Sequence, residues 1–266
     1  MSGPELVIVA DPAAATAEAA SRIAAALRDA VKARGRADWC TTGGSSPIGI
    51  YRRLREADMR DAIPWPRVHV WWGDDRYVPR DHPLSNVKSF DDILLGIGAA
   101  EEGTAGGPAG VPIPIDQVHP WPTGEAIGAA RGAAWCAATL ADDVRSDGPP
   151  DVNGWPAFDL LVLGAGPDGH ILSVFPGSPA LTSGDLAMAI PAPTHIAPHI
   201  ERVTLNPAIV GAARHVLVLA TGAAKSAVIG DIFGPVRDPE RWPAQLALGT
   251  NATWILDEAS GKELPR

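Results

Sequence analysis

Asp168-Gly169-His170 puts a carboxylate two residues before an imidazole, inside the glycine-rich string Gly164-Ala165-Gly166-Pro167-Asp168-Gly169-His170. At that spacing Asp168 can hold one ring nitrogen of His170 and leave the other to act as a base toward a substrate. A loop histidine hydrogen-bonded for structure alone uses the same residues. The flanking glycines, and the position directly after the very apolar run Phe158 to Leu163, favour the chemical reading. The string also matches G-x-G-x-x-G. A dinucleotide site is rejected, because Pro176 breaks the next segment within two turns and no second strand ending in an acidic residue follows at the required distance.

Three further strings could bind an anion. Thr41-Thr42-Gly43-Gly44-Ser45-Ser46-Pro47 has glycines whose backbone N–H groups can turn toward a ligand, then Ser46 as a helix cap and Pro47 at a first helical position. A helix N-terminus opened in this way suits a phosphate. The lysine of a nucleoside-triphosphate loop is missing, and a plain strand-to-helix turn fits equally well. Gly73-Asp74-Asp75-Arg76 follows the apolar Val70-Trp71-Trp72 and runs on to Ser85-Asn86. Arg76, if partly buried, needs an anion, which Asp74, Asp75 or a substrate phosphate would supply. Thr221-Gly222-Ala223-Ala224-Lys225 places a cation in the first turn of a helix, against the dipole, where a bound anion would compensate it; an exposed lysine is the plainer alternative.

All four strings follow short apolar runs that read as strands. Glu5–Ala10 predicts a short buried strand, followed by an Ala-rich helix from about 13 to 34, a strand over 37–41, and a helix opened by Pro47. Strands are expected over 68–72, 158–163, 202–205, 215–219 and 253–256, helices over 85–95 and 123–144, and a surface loop over 98–114. Continuous apolar strands alternating with helices predict a single α/β domain over 1–266, Rossmann-like, with a mostly parallel sheet and helices on both faces. In such sheets ligands bind beyond the carboxyl ends of the strands, where these four strings fall.

With 266 residues and 46% hydrophobic, the chain is large enough for a sizeable core. A net charge of −9 argues against a nucleic-acid partner. Cys40 and Cys136 are the only cysteines, so neither a disulfide framework nor a C-x-x-C metal site is expected, and a reducing cytoplasmic setting fits. No apolar run approaches the length of a membrane span. His195 and His199 have a metal-like spacing, but Pro198 between them opposes a helix and no third ligand is evident.

Taken together, TTGGSSPIGIYRRL, VHVWWGDDRYVPRDHPLSN, FDLLVLGAGPDGHILSVFPGSPAL, RVTLNPAIVGAARHVLVLATGAAKSAVI and the terminal WILDE resemble the 6-phosphogluconolactonase family, in family order and over nearly the whole chain. The resemblance implies a Rossmann-like fold shared with glucosamine-6-phosphate deaminases and no metal or nucleotide cofactor. It implies His170 as catalytic base with Asp168 orienting it, Arg76 at a substrate-binding position, Gly43, Gly44 and Ser45 in the phosphate-facing turn, and Arg202 and Lys225 as basic groups near the phosphate. Asp74 joins this set as a substrate-binding residue. Asp75 replaces a usual Glu, Ile171-Leu172 a usual Thr-Ala, and Ser46 a usual Thr.

The activity so implied is hydrolysis of 6-phospho-D-glucono-1,5-lactone in the oxidative pentose phosphate pathway, with a phosphorylated sugar lactone as the one small-molecule partner and a monomer or weak dimer as the working form. No G-x-S-x-G elbow is present, so water rather than a serine is the expected nucleophile. Two rivals stand beside this: a sugar-phosphate isomerase or deaminase of the same fold, with Asp74 as a second base, and a non-catalytic sugar-phosphate sensor. The intact Asp168-Gly169-His170 string counts against the sensor.

Overall fold

The computed structural model describes residues 3–44, 46–97 and 110–265. Strand β1 (Glu5–Val9) leads into α1 (Pro12–Arg34) and β2 (Ala37–Thr41), then α2 (Ser46–Arg55) and α3 (Ala57–Arg60). Strands β3 (Val68–Trp72), β4 (Asp74–Arg76) and β5 (Val118–His119) precede α4 (Thr123–Gly128) and α5 (Ala133–Asp147). A small hairpin, β6 (Asp151–Val152) and β7 (Trp155–Pro156), comes before β8 (Leu160–Gly164). The remainder is β9 (Ala187–Ile190), β10 (Arg202–Leu205), α6 (Ile209–Ala212), β11 (Val216–Ala220), α7 (Ser226–Ile232) and β12 (Ala252–Asp257).

Seven strands form one sheet in the order β1-β12-β11-β8-β2-β3-β5, parallel at every pairing. Every residue of β2 and β11 is buried. Successive side chains of a strand point to opposite faces, so both faces of the sheet are covered, as continuous apolar runs require. The chain reverses its direction of travel across the sheet between β2 and β8, the point at which α/β sheets open a crevice. The loops carrying Gly43 and His170 flank that point.

Helix α1 shows how local sequence sets the scaffold. Asp11 caps it by accepting from the Ala14 amide at 2.8 Å, Pro12 opens it, and Gly35 closes it at φ 75. Its buried stripe includes Ala19, Ile23, Leu27 and Ala30. Behind the glycine turn, Trp39, Tyr51, Phe90 and Trp72 interlock edge to face, with centroids 5.1–6.2 Å apart. Each such contact contributes about 0.5–1.5 kcal/mol beyond burial, so the floor beneath residues 42–44 is stiff.

The structure corrects several expectations. β1 is not buried: it is an edge strand, with Leu6 43% and Ile8 52% exposed. β10 does not join the main sheet; it lies between β4 and β9 in a three-stranded antiparallel sheet. The helix expected over 85–95 starts late: 85–87 are not helical, because Ser85 and Asn86 are committed to Asp75, and a short helical segment begins at 88 and continues as a π-helix over Phe90–Leu95. The helix expected over 123–144 is two helices, split over 129–132, where Ala130 takes φ 52 between Gly128 and Gly132. Of the loop expected over 98–114, residues 98–109 lie outside the described residues. No described helix is long and apolar enough to cross a membrane.

Candidate active site

The segment after β8 turns back on itself. The Gly166 amide donates to the His170 carbonyl at 2.8 Å, and the Gly169 amide to the Gly166 carbonyl at 3.1 Å. Gly169 holds φ 81, a left-handed value that glycine adopts without strain. A Cβ on Gly166 would lie 2.0 Å from His170 Nδ1 and 2.7 Å from Asp168 Oδ1. Position 166 must therefore be glycine for the imidazole to reach the carboxylate. That contact is short: His170 Nδ1 to Asp168 Oδ1 is 2.5 Å. With Nδ1 so engaged, Nε2 makes no hydrogen bond among the described residues, and the ring borders an open cavity.

The other oxygen of Asp168 is also taken. His195 Nε2 lies 2.8 Å from Asp168 Oδ2, and Phe175 packs against both rings, tilted on His170 and edge-on to His195. Burial works against the Asp168 charge, but the hydrogen bonds from the two imidazoles outweigh it and hold the carboxyl well below its usual range. The sequence offers His195 only as half of a metal-spaced pair with His199. The structure separates that pair: His199 Nδ1 instead faces the Pro193 carbonyl at 2.7 Å. No spacing rule could have linked His195 to a carboxylate 27 residues earlier.

Gly43, Gly44, Asp74, Arg76, His170, Arg202 and Lys225 all border the same cavity, of about 220 Å³. Asp168 stands behind His170, and Ser45 lies outside the described residues. The small antiparallel sheet brings the two arginines together, for Arg202 is the register partner of Arg76. Neither guanidinium has a carboxylate partner among the described residues. Arg76 Nη1 donates to the Leu84 carbonyl at 2.9 Å and to Asn86 Oδ1 at 2.6 Å; Arg202 Nη2 donates to the Pro198 carbonyl at 2.9 Å. Both Nε atoms are buried without a partner.

Arg202 is 4% exposed, and burial, with Arg76 beside it, lowers its affinity for its proton. Burial also pulls the Lys225 ammonium down from its ordinary value, with the Asp168 charge pulling the other way; its Nζ donates to the Ala165 carbonyl. Three cations that lack carboxylate partners among the described residues, around one small cavity, are a site for an anion.

The remaining residues hold this wall in place. Asp75 is fully buried and accepts from the Arg76 amide at 2.7 Å, the Asn86 amide at 2.7 Å and Ser85 Oγ at 3.0 Å. It knots the loop that aims Arg76. Asn86 packs so closely over Gly43 that a Cβ there would lie 1.9 Å from its Oδ1. Asp74 accepts from Ser173 Oγ at 2.5 Å and from Asn86 Nδ2 at 3.2 Å. Ser173 and Asn86 both border the cavity. Asn86 and Ser173 each lie in one of the family-like segments, but no local spacing ties either of them to Asp74. A larger groove of about 660 Å³, bordered by Trp155, Pro179, Asn206 and Pro239, offers Glu240 as its one charged group among the described residues, and no cation.

This geometry can be set beside known proteins. Residues 10–255 match the model of the family described as glucosamine-6-phosphate isomerases/6-phosphogluconolactonase. The chain belongs to that family. It is 34% identical over 239 residues to a 6-phosphogluconolactonase of Synechocystis sp., covering 90% of this chain and 89% of the relative. A second 6-phosphogluconolactonase, of Mycobacterium leprae, is 33% identical over 261 residues and 97% of each chain. In three dimensions the chain resembles a solved 6-phosphogluconolactonase of Trypanosoma brucei with a TM-score of 0.81, at 27% identity, over 98% of this chain and 99% of that one. The fold expected from the sequence, a mostly parallel α/β sheet of this family, is the one observed.

Proposed function

We propose that the chain hydrolyses 6-phospho-D-glucono-1,5-lactone to 6-phospho-D-gluconate, the lactonase step of the oxidative pentose phosphate pathway. The observation that carries this is one cavity that joins an Asp168-held imidazole to three cations without carboxylate partners among the described residues. Relatives named 6-phosphogluconolactonase at 33–34% identity support the same reading.

The phosphate rests against the Gly43–Gly44 turn and the start of α2, where backbone N–H groups and the helix dipole favour an anion. Arg202 and Lys225 neutralise it. Binding energy spent on this distant group fixes C1 of the lactone near His170. Neutral His170 accepts a proton at Nε2 from a water that attacks C1, and the carbonyl oxygen becomes an oxyanion that Arg76 can face. Asp168 stabilises the imidazolium through Nδ1. The same ring then protonates the departing ring oxygen, so one base acts twice and no covalent intermediate is needed. This assistance contributes roughly 10²–10⁴-fold.

Freshly generated 6-phosphogluconolactone, followed by NADP⁺-coupled oxidation of the 6-phosphogluconate released, tests the proposal. Acceleration well above spontaneous hydrolysis is expected, with no ammonia from glucosamine 6-phosphate. Ammonia release without lactone hydrolysis would transfer the chain to the deaminase reading, with Asp74 as second base.

A further inference from the structure

Away from the cavity, His69, His119 and Asp147 converge from three elements. His69 is the second residue of β3, toward the opposite end of that strand from the loop that supplies Arg76. His119 ends β5, and Asp147 ends α5. His69 and Trp71 share one face of β3, and His119, the register partner of Trp71, stacks on its ring at 3.8 Å and 6°. Both imidazoles are thereby mounted on rigid strands, with side chains only 15% exposed.

We propose that these three residues form a binding site for one divalent transition-metal ion of the zinc type. His69 Nδ1 and His119 Nε2 are 2.9 Å apart, and Asp147 Oδ2 lies 3.7 Å from the first and 3.6 Å from the second. These separations define a point ~2.0 Å from all three atoms, the length of a zinc bond to imidazole or carboxylate. A hydrogen bond between the two rings accounts for the nitrogens alone. It leaves Asp147 Oδ2, which has no hydrogen bond among the described residues, aimed at the gap between them. The ring planes lie within 11° of parallel; an ion enters between the two nitrogens as each ring turns toward Asp147, and the proton the rings share moves to the far nitrogen of the ring that carries it.

The surroundings suit a cation. An aspartate at the last residue of a helix is opposed by the dipole and calls for positive charge. Arg36 supplies part of it, donating to Asp147 Oδ1 at 3.1 Å and fixing the carboxylate from behind, as outer-sphere partners of metal ligands do. Two imidazoles and one carboxylate select zinc, cobalt or nickel over calcium or magnesium, and water from the open side completes the shell. An ion there would clamp β3, β5 and the end of α5 together.

The test uses the full chain stripped with chelator and titrated with Co²⁺, followed by its visible absorption, and with Zn²⁺ by calorimetry. One ion per chain is expected, with tetrahedral cobalt bands and a Tm raised by Zn²⁺. His69→Gln and the surface variant Asp147→Asn should each weaken binding at least tenfold while lactone turnover of the metal-free protein stays unchanged. The pair His195 and Asp168 is the other possible anchor. Binding that survives His69→Gln but is lost in His195→Gln would overturn the proposal, as would the absence of saturable binding in the wild type.

Discussion

Gly166→Ala places a single methyl group against the proposed base. The added carbon would stand 2.0 Å from His170 Nδ1, 2.2 Å from Cε1 and 2.7 Å from Asp168 Oδ1. Ordinary contact needs about 3.4 Å or more, so the ring must withdraw by ~1.4 Å. Position 166 is not among the glycines with positive φ, so alanine tolerates the backbone there. His170 sits at the cavity rim with its side chain 22% exposed, and the ring therefore has room to move. A misplacement of about 1 Å can cost roughly 10²-fold in rate, which is about 2.7 kcal/mol of barrier.

The expected result is thus a kcat lower by about 10²-fold or more, with KM and Tm changed little, because the proposed phosphate contacts and the core are untouched. Steady-state kinetics with fresh lactone, corrected for spontaneous hydrolysis, and a thermal melt measure all three. Gly211→Ala, where nothing lies within 4 Å of the new carbon, serves as the control. A Gly166→Ala enzyme with kcat within threefold of wild type would show that the short contact between His170 and Asp168 does not matter to turnover.

Further consequences concern the groups around that contact. Arg202→Ala and Lys225→Ala are expected to raise KM for the phosphorylated lactone with a smaller effect on kcat; unchanged KM would remove the phosphate from their side of the cavity. His195→Phe leaves Asp168 with one imidazole donor and frees its carboxylate to turn, so kcat should fall while KM changes little. His195→Gln, which keeps a donor, should restore turnover, and identical kcat for both variants would refute the coupling. The depressed Asp168 carboxyl contributes stability that is present above its unfolded value, near 4, and is lost as pH falls below it. Melting curves at pH 6 and pH 3.5 should accordingly show a smaller acid-induced drop in Tm for Asp168→Asn than for wild type, and an equal drop would contradict that assignment.

Six of the seven strands of the main sheet were legible, the central ones because both-face burial writes a continuous apolar run, as in Leu161-Val162-Leu163 and Val216-Leu217-Val218-Leu219, whereas the two-residue β5 was too short to leave a pattern. β4 was not legible, since Asp74-Asp75-Arg76 carries three charges and owes its extended form to β10 rather than to its own residues. The same tertiary pairing sets Arg202 opposite Arg76, which no local spacing announces. The break after Gly128 was hidden by the apolar periodicity that continues on either side of it. His170, Asp168 and the glycine turn were readable because each lies within one short loop at a strand end. His195, Ser173 and the set of His69, His119 and Asp147 were not, because each gains meaning only when distant segments meet.

His170→Ala, assayed with fresh 6-phosphogluconolactone beside a binding measurement with 6-phosphogluconate, tests whether this imidazole is the base. The expected result is a kcat lower by roughly 10²–10⁴-fold, with product affinity within a few-fold of wild type and an unaltered melt. Turnover within tenfold of wild type in a folded, product-binding variant would contradict it.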